Sequence, residues 1–111
     1  MSTFTRLEIL NAEVEEERKL HYELPRESKS QNRSKFAHEV LYRLKEAYEL
    51  VNESIIANEN SDRLRDIVAK LNRTTNVVAM DLSHDKGFMG SDAEHDSYRL
   101  SQKFKTLLER V

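Results

Sequence analysis

Apolar residues recur at helical spacing in four stretches of this chain, with polar segments between them. Turning each residue by about 100° puts Leu7, Leu10, Val14 and His21 on one face. This predicts a first helix from about Arg6 to Leu24. Thr5 and Glu8 have capping-box spacing, and Phe4 and Ile9 that of a hydrophobic staple. Pro25 ends the helix, since it lacks an amide hydrogen and clashes with the preceding turn. Residues 25–33 are polar throughout and read as a linker. Ser34 is placed to cap a second helix reaching about Asn58, with Phe36, Val40, Leu41, Leu44, Val51 and Ile55 on a broad apolar face.

Ser61 is the expected cap of a third helix, with Asp62 at its positive end. Leu64, Ile67, Val68, Leu71, Thr75, Val78 and Leu82 share a face. Asn72, Arg73, Thr74 and Asn76 weaken the middle of that helix. A strand over Thr75–Met80 fits the apolar spacing less well than a helix. Gly87 and Gly90 mark the next turn, and Ser91 with Glu94 repeats the capping-box spacing. A fourth helix follows, with Ala93, Leu100, Phe104, Leu107, Leu108 and Val111 on its apolar face.

Four amphipathic helices sharing one core imply an all-α fold, a small antiparallel helical bundle forming a single domain over 1–111. Short connections after the second and third helices favour antiparallel neighbours. The expected core contains Leu7, Val14, Phe36, Val40, Leu44, Val51, Leu64, Val68, Leu71, Phe104 and Leu108.

Composition agrees with this reading. Of 111 residues, 38% are hydrophobic and 34% charged, as long helices with one wet face require. Two Gly and one Pro are few for a sheet-rich fold. The absence of Cys removes disulfides, thiol nucleophiles and thiolate metal sites. No signal peptide is visible, and no apolar run approaches the roughly 18 residues of a membrane span. A cytoplasmic location without membrane attachment is expected.

Net charge is −2, against the positive excess common in nucleic-acid binders. Yet residues 26–45 carry six basic side chains and two acidic ones. Lys29, Arg33 and Lys35 in this segment are the candidate phosphate contacts, and nucleic acid is the alternative partner. Arg33 and His38 also show Arg-x4-His spacing, which resembles helical ribonucleases paired with small nucleotidyltransferases. That resemblance implies arginine holding a phosphate while histidine moves a proton. It would place the pair on a late helix, whereas here it opens the second.

No catalytic, metal or cofactor site is expected. His21, His38, His84 and His95 lack the paired spacing of a helical metal site. Asp81, Ser83 and Asp85 begin like a calcium loop, but Lys86 stands where glycine is required.

Ile9 and Leu20 lie almost opposite the core face of the first helix, and Tyr42 and Ile56 lie off the core face of the second. Two such stripes suggest a second packed surface. The expected function is a non-enzymatic protein–protein interaction module that self-associates or binds a protein partner, with Ile9, Leu20, Tyr42 and Ile56 at the interface.

Overall fold

The computed structural model describes residues 2–59, 61–88 and 90–111. Four helices dominate: α1 (Thr3–Glu23), α2 (Arg26–Ile56), α3 (Asp62–His84) and α4 (Asp92–Arg110), with a 3₁₀ turn at Lys86–Phe88. No strand occurs among the described residues, and Thr75–Met80 is continuous helix. The buried Thr75 hydroxyl donates to the Leu71 carbonyl at 2.7 Å, so the weak helix former is satisfied within its own helix.

Helix directions follow from paired residues. Arg6–Glu46 and Glu13–Arg43 make α1 and α2 antiparallel, and Asn76–Ser101 with Arg65–Val111 does the same for α3 and α4. Glu8–Lys70, Asn11–Thr74 and Arg18–Asp81 advance together, so α1 and α3 are parallel neighbours. Lys45–Asp96 and Tyr48–Phe104 relate α2 to α4 in the same way. The order around the bundle is therefore α1, α2, α4, α3. The short 57–61 connection does not make α2 and α3 close neighbours, as a short loop suggests; they run oppositely across the diagonal. The molecule measures 46 × 27 × 16 Å, and α2, at about 1.5 Å per residue, spans its long axis.

The expected linker at 25–33 is helical. Only Leu24 and Pro25 separate α1 from α2. Arg26, Glu27, Lys29 and Gln31 are good helix formers, and Glu27 lies in the favourable first turn. Arg33 reaches Asp85 and Lys29 covers the Tyr22 ring, so tertiary contacts hold a turn with no apolar stripe. Ser34 is accordingly inside α2, not at its cap.

The caps were partly legible. Ser61 accepts from Leu64 N–H and Ser91 from Glu94 N–H, each at 3.2 Å. The Glu94 carboxylate reaches back to Gly90 N–H at 2.9 Å, one residue before the cap. Thr5 is not the first cap: Ser2 is, and its hydroxyl accepts from Thr5 N–H. With the helix starting three residues earlier than expected, the Phe4–Ile9 staple has no place, and Phe4 instead lies beneath Arg63. At the end of α2, Asn58 adopts positive φ, while Asn58 N–H and Glu59 N–H donate to Ile55 and Ser54 carbonyls. This Schellman ending satisfies two otherwise open carbonyls.

The core holds ten of the eleven expected residues, from Leu7 to Phe104. Leu108 is the exception, only half-buried, because Leu107 points inward in its place. Phe88 in the 3₁₀ turn adds a buried ring that no helical period signals. No described helix is long and apolar enough to cross a membrane.

Candidate functional site

The basic side chains of segment 26–45 are divided among several partners. Arg43 bonds Glu13 on α1 at 2.6 Å and Glu39 on its own helix at 2.8 Å. These contacts hold the Arg43 guanidinium pKa above its usual value and the Glu39 carboxyl below its usual value. Of the candidate phosphate contacts, Lys29 sits over the Tyr22 ring and Arg33 pairs with Asp85 at 3.4 Å. Lys35 is exposed beside Leu20 and Phe36 in a different groove. Lys29 and Arg33, four residues apart on α2, share a helix face and both act on His21, whereas Lys35 lies apart from them.

Arg33 is held by more than charge. Its guanidinium lies 5.7 Å from the Phe88 ring centre and directly against Gly87. A β-carbon at Gly87 would overlap it. Gly87 N–H in turn donates to Asp85 at 2.9 Å. A side chain at 87 would displace the end of Arg33, so the turn between α3 and α4 lies directly against an arginine from α2.

Arg33 and His38 line the same groove, of about 370 Å³, between α2, the 3₁₀ turn and the start of α4. Tyr42 and Lys45 continue its α2 wall, and Ala37 and Leu41 give it apolar lining. His38 packs against Tyr42, with ring centres 6.3 Å apart and 29° between planes. Lys45 meets Asp96 across the groove at 3.4 Å. The spacing resemblance therefore has a spatial counterpart, although the arginine is also committed to Asp85.

The four expected interface residues do not share one groove. Tyr42 is 65% exposed in the groove just described. Leu20, 51% exposed, lies in a small groove between α1 and α2. Ile56, 70% exposed, stands at the end of α2, while Ile9 is partly buried.

A different apolar feature lies between α3 and α4. Met80 and Tyr98 are 57% and 64% exposed and flank a groove of about 460 Å³. Ala79, Ser83 and Ser101 line it with them, as do the polar Asn76, Glu94 and His95. Neither residue stands out in the sequence, because single apolar residues on polar helix faces are normal. The signal available was combined: Met80 and Tyr98 sit on helices that pair antiparallel.

His21 is the principal buried titratable group. Its ring stacks on Phe36 at 4.1 Å with 6° between planes, as its place on the apolar face suggested. Burial, the largest effect, lowers its pKa; Lys29 and Arg33 act in the same sense, and Asp85 and Asp81 oppose them. Burial and then the charges of Asp81 and Asp85 push neighbouring Tyr22 up to about 12. The folded chain therefore resists a proton on His21 that the unfolded chain accepts below about pH 6.5. Stability should be full above that pH, decline as pH falls through it, and level off below the folded-state value. Urea unfolding at a series of pH values should show a shallower decline in His21→Gln. Parallel curves for both proteins would remove His21 as the cause.

Among the described residues, no group of three or more His, Cys, Asp or Glu side chains is arranged to hold a metal ion. No protein-family model, curated protein or solved structure matches the chain, which leaves its surface chemistry as the guide to function.

Proposed function

We propose that the chain is a non-enzymatic, self-associating helical interaction module, working in the cytoplasm, and that the α3–α4 face carries the contact. The supporting observation is the pairing of exposed Met80 and Tyr98 across one trough. A trough between two large walls accepts a side chain from an opposing helix, the packing that concentrates binding energy at protein interfaces. Ile9, Leu20, Tyr42 and Ile56 remain candidates for further contacts, but they do not form a common groove.

A second copy suits this face electrostatically. Among the described residues, Glu94 is the trough's only acidic lining residue, and the whole chain is only slightly negative. Two copies can therefore approach with little like-charge repulsion. Met80→Glu and Tyr98→Lys place charges on the two walls without touching the core. Light scattering should show weaker association in both variants while circular dichroism stays unchanged. Undiminished association in both would reject this face.

The alternative is nucleic-acid binding through the basic segment 26–45, including a ribonuclease using Arg33 and His38. Their position in one groove supports it. A saturable, salt-sensitive RNA complex, with cleavage lost in His38→Ala but binding retained, would establish that reading.

A further inference from the structure

The groove that contains Arg33 has a chemistry distinct from the self-association face. It has an apolar trough, an aromatic wall and unequal ends. Ala37, Leu41 and Ala93 keep the trough narrow and apolar, and the packed His38 and Tyr42 rings form a wall. At one end, Lys45 faces Asp96, so a carboxylate of the groove itself balances the ammonium. At the other end, the partner of Arg33 is Asp85, which does not line the groove. Arg33 is therefore paired from outside the groove wall, through Nε alone.

Its guanidinium is also oriented in advance. Gly87 leaves the space it occupies, Phe88 lies beneath it, and Asp85 engages it through Nε. Among the described residues, its two Nη groups make no hydrogen bond within the distances of a normal contact. Arginine carries five donors in a planar fork, and the outer pair matches the two oxygens of a carboxylate. A guanidinium already held in place loses less freedom when it binds.

We propose that this groove binds a small aromatic carboxylate, its ring in the trough against Tyr42 and its carboxylate on the Nη groups of Arg33. The volume of about 370 Å³ falls at the small end of the range for ligand pockets. Arg33 and Lys45 are twelve residues apart on one helix, about 18 Å along its axis. One small anion does not span that distance, and the planar guanidinium with its outer nitrogens free decides where its carboxylate sits. A flat ring suits an open trough with one aromatic wall better than a bulky aliphatic group does.

The test is a two-dimensional amide NMR titration of the whole chain with 2-naphthoate, alongside naphthalene-2-carboxamide as the uncharged probe. Naphthoate should give saturable shifts confined to residues 33–45 and 86–96, and bind at least about tenfold more tightly than the amide. Arg33→Lys should remove most of that preference by losing the planar fork, while keeping the charge. Tyr42→Ala, an exposed substitution that spares the core, should weaken both probes alike. The proposal is overturned if naphthoate fails to saturate below about 10 mM, if the two probes bind equally, or if the shifts map to the α3–α4 face. Displacement of naphthoate by a short RNA at lower concentration would overturn it in favour of the nucleic-acid reading.

Discussion

Phe104→Ala should lower the unfolding free energy by about 3–5 kcal/mol. The side chain is completely buried on α4 and meets the Tyr48 ring of α2 edge-on, with centres 5.9 Å apart at 90°. Alanine removes the ring, its transfer free energy and one half of that aromatic pair, and leaves a cavity between two long helices. Tyr48 is also covered by Lys103, one residue before Phe104, so the loss extends to a cation resting on the freed ring. Chemical denaturation should show an earlier midpoint with an unchanged slope if the native state stays compact. A cost below about 1 kcal/mol would mean that α4 does not dock through this ring.

Leu44→Ala should cost about 2–5 kcal/mol. Leu44 is fully buried at the middle of α2, the helix that packs on both α1 and α4. Long helices on two sides leave little room for the surroundings to collapse into the lost volume, which favours the upper half of that range. Half-buried Leu108 should cost distinctly less, since water already reaches it. Equal costs at the two positions, measured in the same denaturant, would contradict the assignment of Leu44 to the centre of the core.

The contrast between Leu107 and Leu108 shows how far the periodic reading reached. Both lie near the apolar stripe of α4, and a rotation of one residue decides which enters the core. Only the position of α3 and α2 fixes that rotation. The four-helix bundle itself was legible, because the apolar stripe of each helix has to be buried against another element. Ser61 and Ser91 were legible as caps for the same local reason, since a hydroxyl three residues before an open amide satisfies it within the turn.

The segment after Pro25 was misread because apolar periodicity is silent where a helix runs beyond the core. Residues 26–33 are helical through their own propensities and through contacts of Lys29 and Arg33 with distant partners. Those partners, Tyr22, Asp85, Gly87 and Phe88, lie on other elements, and no pattern near residue 33 points to them. The diagonal placement of α2 and α3 was likewise hidden, since a short loop limits distance and direction but not which neighbour intervenes.

The candidate surfaces were legible as residue types and not as places. Ile9, Leu20, Tyr42 and Ile56 were recognised as apolar positions off the core faces, yet the folded chain distributes them among separate regions. Met80 and Tyr98 are eighteen residues apart in sequence and flank one trough, because α3 and α4 fold back on each other. Arg33 and His38 were paired by spacing on one helix, and the fold does bring both to a single groove.

Sedimentation equilibrium of the unaltered chain, from about 1 µM to about 1 mM, tests the self-association claim most directly. The average mass should rise with concentration from that of one chain towards that of two, reversibly on dilution. A mass of one chain across the whole range would contradict it.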